Sequence, residues 1–272
     1  MVERGRAPDP LRTAAALASL LLAAHVAAQE APVRAPFFAT PPEVVARMLA
    51  LAETRTEDFV LDLGSGDGRI VIHAARSYGA RGLGVDLDPA LVARARDDAA
   101  RAGVGGLVRF EVQDVLRAEL SRASVVTIYL VPYLMERLEP RLLDELRPGA
   151  RVVSHAFALP SWPHDAAELV RLARPHPTQG DSSRIYLYVV PAQVRGRWRA
   201  RGGWELRVQQ NFQRIELEAL RDGHALAVSA ASLRGTELAF SGSGFAFAGR
   251  VAGGSIAGEL AGGTPLVFER AR

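Results

Sequence analysis

Two residue types are missing from this sequence altogether. Among its 272 residues there is no cysteine, and all 33 basic residues are arginine, so lysine is absent as well. The absence of cysteine excludes disulfides, thiolate metal sites, a cysteine nucleophile and a lipoprotein anchor. The absence of lysine excludes Schiff-base chemistry on this chain and a Walker-type phosphate loop.

The charge balance is close to even. The 33 arginines face 30 acidic residues, which gives a net charge of +3. This value does not support nucleic-acid or membrane binding driven by net charge, and we expect no nucleic-acid partner. A chain that is 49% hydrophobic and 23% charged is expected to fold, and its length suits one large domain with a small second one.

The first 28 residues have the organisation of a secretory signal. Three arginines precede an uncharged run rich in alanine and leucine from Thr13 to Ala24, and small residues from Val26 to Ala28 follow. The pattern predicts a signal peptide over residues 1–28, and therefore a periplasmic or secreted protein. The alternative is a membrane anchor formed by residues 13–28, which would give membrane association through an uncleaved leader, although the run is short for a span.

Residues 32–191 alternate short apolar runs with segments of helical length, which predicts an α/β domain with a parallel sheet. The predicted strands are Phe59–Leu63, Gly82–Asp86, Val108–Val112, Val125–Val131 and Arg151–His155. Ahead of them, the sequence from Thr40 to Glu43 predicts a helix start with a capping box, with Thr40 as the N-cap.

Residues 194–272 have a different hydrophobic pattern and a high glycine content. Two-residue alternation and dense glycine replace helical periodicity, as in Trp204–Val208 and Arg214–Leu220. This pattern predicts a small C-terminal antiparallel β domain of about six to eight short strands, arranged as a small barrel or curled sheet.

The most informative motif follows the first predicted strand. Asp62 ends that strand, and Gly64, Gly66 and Gly68 form a turn before a helix that starts near Arg69. Glycines allow positive φ and close approach of a ligand, and ligands bind open α/β sheets at the carboxyl ends of strands. Dinucleotide binding requires a glycine at position 69 instead of 68, so Arg69 argues against a nicotinamide cofactor. The Asp62 carboxylate favours a cationic ligand, such as the sulfonium and ammonium groups of S-adenosylmethionine.

Two more acids follow predicted strands. Asp86 ends the second strand and lies 22 residues after Gly64, where a carboxylate can accept both ribose hydroxyls of an adenosine cofactor. Asp114 follows the third strand and can accept a hydrogen bond from the adenine amino group, while Val115 offers a backbone N–H. We therefore predict an adenosine-binding edge built on three strand ends.

These residues resemble a known family. The segments LDLGSGDGR (61–69), GVDLDP (84–89) and FEVQD (110–114) look like the cofactor motifs of class I, seven-strand S-adenosylmethionine-dependent methyltransferases. The segments PFFATPPEVV (36–45), YLVPYLMERLEPRLLDEL (129–146) and GARVVSHAFALPSW (149–162) are similar to a group of membrane-associated protein-lysine methyltransferases and their bacterial relatives. The resemblance covers about residues 33–191; those enzymes do not, as a rule, carry a β-rich tail.

The resemblance implies a Rossmann-like sheet of strand order 3-2-1-4-5-7-6, with Glu168–Arg174 and Arg184–Val190 as its last hairpin. It also implies a cofactor site for S-adenosyl-L-methionine, with Asp86 at the ribose and with Asp114 and Val115 at the adenine. The residues expected around the methionine part are Asp62, Gly64, Ser65, Gly66 and Gly68.

The acceptor site is less clearly marked. Enzymes that methylate adenine or glutamine amides typically place Asp/Asn-Pro-Pro-aromatic after the fourth strand, and Tyr129-Leu130-Val131-Pro132 has no Asp or Asn, which disfavours a base or amide acceptor. We expect Tyr129 and His155 to be the catalytic candidates, with His155 as a general base. The expected acceptor pocket contains Phe157, Trp162, His164 and Asp165. The alternative is that His155 is a satisfied strand-end histidine and Trp162 a packing residue.

The leading hypothesis is an S-adenosylmethionine-dependent methyltransferase whose acceptor is a protein or a small molecule, with a protein lysine or another amine favoured. Because this chain has no lysine, a lysine acceptor must belong to another molecule. The alternative is an exported, non-catalytic binding or envelope protein that reuses the methyltransferase scaffold. No metal site is expected.

Overall fold

The computed structural model describes residues 37–271, which contain two sheets. The predicted leader lies outside the described residues. Four helices belong to the first part of the chain: α1 (Pro42–Leu51), α2 (Arg69–Tyr78), α3 (Pro89–Arg101) and α4 (Pro132–Glu145). No helix among the described residues is long and apolar enough to span a membrane.

The first sheet has seven strands in the order β3-β2-β1-β4-β5-β7-β6, as the resemblance implied. Its strands are β1 (Phe59–Leu63), β2 (Arg81–Asp86), β3 (Val108–Val112), β4 (Val125–Ile128), β5 (Arg151–His155), β6 (Ala166–His176) and β7 (Gly180–Val189). The first five are parallel, and β7 lies antiparallel between β5 and β6. The last hairpin is longer than expected, and its register shifts between Arg171 and His176.

Side chains alternate across this sheet and meet helices on both faces. Val60 of β1 packs with α1 and α2, whereas Leu61 and Leu63 pack in the cluster that contains Leu134 and Leu138 of α4. This alternation places Asp62 on the same face as Val60, inside the layer between sheet and helices. A buried carboxyl at the end of a central strand is therefore a direct consequence of the pleat.

The start of α1 differs from the sequence prediction. Pro41 is the N-cap and makes no side-chain cap, so the predicted capping box is wrong. The Thr40 hydroxyl is within 3.2 Å of His155 Nδ1, and the Glu43 carboxylate accepts a hydrogen bond from the Ala173 N–H. Both side chains thus bind distant parts of the chain, and the local pattern could not show this.

The second sheet has nine antiparallel strands, where six to eight were expected. They are β8 (Gly196–Ala200), β9 (Trp204–Asn211), β10 (Arg214–Arg221), β11 (His224–Leu226), β12 (Val228–Arg234), β13 (Glu237–Gly242), β14 (Phe245–Ala252), β15 (Ser255–Leu260) and β16 (Thr264–Arg270). The sheet order runs from β11 to β12, and β10 comes close to β12, so the sheet curls around one core. Trp198, Phe240, Phe247 and Phe268 fill this core. An α/β sheet with a separate antiparallel β region confirms the predicted fold class.

Candidate active site

The carboxyl ends of the parallel strands β1 to β5 meet at one edge of the first sheet. Asp62 lies opposite Gly84 of β2 on one side and Thr127 of β4 on the other. Tyr129 directly follows β4, and His155 ends β5. The topology therefore brings the ends of the predicted cofactor strands and the start of the predicted acceptor region to the same edge.

The turn after β1 needs its glycines for both conformation and space. Gly64, Gly66 and Gly68 have φ values of 83°, 53° and 77°. A Cβ on Gly64 would lie 2.7 Å from Leu130, and one on Gly66 would lie 2.2 Å from the ring of Phe37. The glycines thus allow positive φ and let Leu130 and Phe37 pack directly against the backbone of this turn, which we call the glycine cradle.

The Asp62 carboxyl is buried, and its Oδ1 accepts a 2.7 Å hydrogen bond from the Thr127 hydroxyl. Burial raises the pKa of Asp62 to about 7, with a smaller contribution from the nearby carboxylates Asp86 and Asp67 and with the Thr127 hydrogen bond opposing the rise. Among residues 37–271, no basic side chain forms an ion pair with Asp62. This carboxyl therefore has the environment of a group that would be stabilised by a cationic ligand.

The Asp86 carboxylate connects β2 to the glycine turn. Its Oδ2 accepts a 2.8 Å hydrogen bond from the Gly66 N–H, and its Oδ1 accepts a 2.9 Å bond from the Asp88 N–H. A carboxylate has about four acceptor positions, so acceptor capacity remains for ribose hydroxyls.

Asp114 begins a short 3₁₀ turn after β3. Its Oδ1 accepts a 2.9 Å hydrogen bond from the Leu116 N–H, and the Val115 side chain is buried in the core. The turn holds both residues at the carboxyl edge, where an adenine base is expected.

Ser65 supplies an unused polar group. The Ser65 hydroxyl is buried against Gly84 and has no hydrogen-bond partner among the described residues. Its backbone N–H is satisfied by the Val85 carbonyl at 2.9 Å. The glycine cradle, the unpaired Asp62 and the free Ser65 hydroxyl together fit a cationic cofactor with polar edges.

The residues Phe37–Thr40, which we call the cover segment, pass over this edge. The Phe37 ring contacts Gly66, and Arg69 donates a 2.9 Å hydrogen bond to the Thr40 carbonyl. Arg69 also binds the Asp67 carboxylate through two hydrogen bonds of 2.9 and 2.6 Å. Burial raises the pKa of Asp67, but hydrogen bonds and the charge of Arg69 outweigh it and lower this pKa overall. Arg69, which argued against a dinucleotide cofactor, thus links the cover segment to the glycine turn.

His155 does not have the properties of a general base. It is 1% exposed, and its ring nitrogens lie 3.2 Å from the Thr40 hydroxyl and 2.6 Å from the Ser183 hydroxyl. Burial, together with the nearby His176 ring, lowers the pKa of His155 to about 3. A fully paired ring with so low a pKa cannot collect a proton from an acceptor near neutral pH. The alternative of a satisfied strand-end histidine describes what the structure shows.

The expected acceptor pocket is only partly assembled. Phe157 is 40% exposed and follows β5 directly, whereas Trp162 is 1% exposed and packs on Tyr188 with ring centroids 5.2 Å apart. The Trp162 indole lies in the core and presents no face to a ligand. The Asp165 carboxylate accepts a hydrogen bond from the Val189 N–H, and the exposed His164 packs on Tyr186.

Tyr129 instead has neighbours that the sequence did not reveal. Its ring centroid lies 4.0 Å from that of His155 and 6.2 Å from that of His176, and its hydroxyl accepts a 2.9 Å hydrogen bond from Gln179. His176 and Gln179 belong to the β6–β7 hairpin tip, which folds back toward Tyr129. No local motif marks these residues, because their partners lie far away in sequence.

The sheet order, the glycine cradle and the three acids at strand ends define a class I S-adenosylmethionine-dependent methyltransferase. The family pattern described as the ANTKMT methyltransferase domain matches residues 62–166. A protein-lysine N-methyltransferase of Saccharolobus islandicus is 35% identical over 157 residues, which are 57% of this chain and 93% of the relative. The chain belongs to the methyltransferase family that includes this archaeal enzyme.

Two further similarities differ in the acceptor that is named. An adenine nucleotide translocase lysine N-methyltransferase of Mus musculus is 41% identical over 47% of this chain, which spans about half (55%) of that relative. An RNA methyltransferase of Salinibacter ruber, solved with S-adenosyl-L-homocysteine, is 44% identical and has a TM-score of 0.51; the match covers 57% of this chain and 95% of that chain. The cofactor is therefore S-adenosyl-L-methionine, and the β-rich region from β8 to β16 accounts for much of the unmatched length.

Proposed function

We propose that this enzyme methylates a lysine side chain of another protein. The proposal rests on the segment that follows β4, Tyr129-Leu130-Val131-Pro132. This segment has no carboxamide or carboxylate side chain that could bind the edge of a nucleobase. The curated relatives that act on lysine support the same acceptor class.

The bound cofactor supplies an electrophilic methyl group on a sulfonium. The residues of this chain would bind and orient it: the Asp62 carboxylate would pair with a cationic group, and Asp86 would accept the ribose hydroxyls. Methyl transfer requires mainly in-line alignment of a neutral amine with the methyl group. We assign no general base, since His155 is buried, fully paired and has a pKa of about 3.

The acceptor test uses methyl-labelled S-adenosylmethionine with two pools from the source cell, total protein and total RNA. We expect label in protein, recovered as methyl-lysine by mass spectrometry, and none in RNA. This chain contributes no lysine side chain, so any methyl-lysine side chain must come from the acceptor. Label in RNA without methyl-lysine would reject the proposal.

A matched pair of variants tests whether the cofactor binds at the predicted strand ends. Asp86→Ala removes the carboxylate that binds the Gly66 N–H and should abolish S-adenosylhomocysteine binding in calorimetry. Asp97→Ala removes an exposed acid on α3, away from the strand ends, and should bind like the wild type.

We also propose that residues 1–28 direct the chain out of the cytoplasm, with anchoring through residues 13–28 as the alternative. The proposal is supported by the order of arginines, uncharged run and small residues in the sequence. N-terminal sequencing of the native protein tests it: a start at Gln29 supports cleavage, and a start at Met1 rejects it.

A further inference from the structure

Five side chains from four segments of the chain form a continuous series of hydrogen bonds beneath the acceptor side. The Thr40 hydroxyl is 3.2 Å from His155 Nδ1, and His155 Nε2 is 2.6 Å from the Ser183 hydroxyl. The Ser183 hydroxyl donates to Gln179 Oε1, and Gln179 Nε2 donates to the Tyr129 hydroxyl at 2.9 Å. The series starts in the cover segment and ends at Tyr129.

The direction of every bond in the series follows from its far end. The Gln179 amide must donate to Tyr129 through its nitrogen, so its oxygen accepts from Ser183. Because the Ser183 proton is used there, Ser183 accepts from His155 Nε2–H. A neutral imidazole has one N–H, so Nδ1 must accept from the Thr40 hydroxyl. With the Gln179 amide in this orientation, one arrangement of protons satisfies the whole series.

Three of the five members of the series are buried. Thr40, His155 and Ser183 are at most 4% exposed, so water cannot easily replace their partners. Thr40 is also held from the other side, since its carbonyl accepts the hydrogen bond from Arg69. Position and proton arrangement are thus fixed from the glycine turn to the acceptor side.

The series also determines what Tyr129 can do. With one lone pair occupied by Gln179, the Tyr129 hydroxyl keeps one lone pair that can accept an N–H of an incoming amine, which leaves the amine lone pair free for the methyl group. The next residue, Leu130, contacts the glycine turn at Gly64, so the chain at Tyr129 passes beside the cofactor loop. A half-buried hydroxyl with a fixed partner on this segment is suited to bind an acceptor amine.

We propose that Thr40, His155, Ser183 and Gln179 are positioning residues that orient the Tyr129 hydroxyl for the acceptor amine. The inference rests on the proposed function for the identity of the acceptor. The direction of the hydrogen bonds does not depend on the acceptor.

The first test needs no acceptor. Nitrogen-15 NMR of the full protein at pH 7.5 reports which nitrogen of His155 carries the proton, with His155→Gln identifying its signals. We expect a neutral ring protonated at Nε2. A ring protonated at Nδ1 would overturn the inference, because the series would then run in the opposite direction and Tyr129 would donate its proton to Gln179.

The second test compares turnover of threonine variants. Thr40→Val keeps the shape and removes the hydroxyl, and losing one buried hydrogen bond should lower kcat about tenfold. Thr40→Ser restores the hydroxyl and should recover most of the loss, and KM for S-adenosylmethionine should change little in both. Thr56→Val, which removes a hydroxyl bound to the Tyr78 carbonyl away from the site, is the matched control.

Gln179→Glu separates positioning from packing. The carboxylate has the shape of the amide but cannot donate, so Tyr129 would turn its proton toward residue 179, and the lone pair that accepts the amine N–H would lose its fixed direction. We expect a loss similar to that of Thr40→Val, whereas wild-type turnover in Gln179→Glu would overturn the inference.

The outcomes separate the two proposals. If the label enters RNA while His155 is protonated at Nε2, the lysine acceptor is wrong and the variants are scored on RNA. If methyl-lysine forms but Thr40→Val and Gln179→Glu turn over at the wild-type rate, the positioning role is wrong and the proposed function stands.

Discussion

At the scale of single residues, Asp62 has unusual electrostatics. Its carboxyl is buried at the end of a central strand, and its pKa is raised to about 7 by that burial. The free protein therefore favours the protonated acid at acidic pH, whereas a cationic cofactor favours the carboxylate. Cofactor binding and deprotonation of Asp62 are thus coupled.

This coupling predicts a pH dependence of cofactor affinity. Below pH 7, the dissociation constant for S-adenosylmethionine should rise by about tenfold per pH unit, because the carboxylate must first be regenerated. Between pH 7 and 7.5 it should level off. Calorimetric titration from pH 5.5 to 7.5 measures the slope.

Asp62→Asn is the control for this prediction. It should bind weakly at every pH and show no slope, and a slope that persists in the variant would assign the titration to another group. For the free protein the sign of the stability effect is the reverse. The stability contributed by protonated Asp62 is complete below its unfolded pKa of about 3.9 and is lost as the pH rises through about 7.

The meeting of the predicted cofactor residues at one edge of the sheet could be predicted from sequence, because each lies in a short segment that ends a strand. The acceptor side could not. Thr40 and His155 are 115 positions apart, and Thr40 also fitted a local capping pattern that hid its true partner. Trp162 was expected at the acceptor pocket because it is aromatic and close in sequence to His155, but it packs against Tyr188 in the core.

At the scale of elements, the glycine turn combines two constraints that can be measured separately. Gly68 has φ of 77°, and its Cβ would lie 2.6 Å from Phe110 and 2.8 Å from Ala95. Gly103, after α3, has φ of 72°, but a Cβ there would meet nothing within 4 Å. The first position has strain and a clash, and the second has strain alone.

We predict that Gly103→Ala lowers the free energy of unfolding by about 1 kcal/mol, through strain at positive φ. Gly68→Ala should lower it by about 3 kcal/mol, since Phe110 and Ala95 must also move. Urea unfolding of both variants gives the comparison. Equal losses would mean that the loop and α3 do not pack as described.

The order of the first sheet followed from its resemblance to a family, and the strand positions followed from apolar runs. The number of strands in the second sheet was underestimated, because very short strands such as His224–Leu226 carry too few residues to show alternation. The capping-box prediction was wrong for a different reason. The Thr40 and Glu43 side chains form hydrogen bonds with distant residues and not with the start of the helix.

At the scale of the whole molecule, the second sheet is fastened to the first through the β9–β10 turn. Gln213 in this turn accepts a 3.1 Å hydrogen bond from the Trp162 indole N–H and donates one of 2.5 Å to the Pro163 carbonyl. The Ala192 N–H also donates to the Gly235 carbonyl at 2.8 Å. The buried indole therefore depends on the β-rich region for its partner.

We predict that Gln213→Ala lowers the free energy of unfolding by about 1–3 kcal/mol, because the indole N–H is left buried without an acceptor. Gln209→Ala, at an exposed position of β9, should change it by less than about 0.5 kcal/mol. Urea unfolding followed by tryptophan fluorescence measures both. Similar values for the two variants would show that the contact contributes nothing.

Only a short stretch of chain separates the end of the predicted leader from the cover segment. Phe37 follows Ala28 by nine residues, a stretch that spans at most about 30 Å when fully extended. If the proposed leader stays in a bilayer, this chain length limits the enzyme to acceptors near the membrane surface. If the leader is removed, the same active site samples the whole compartment, so one proteolytic cut would redefine which substrates it can meet.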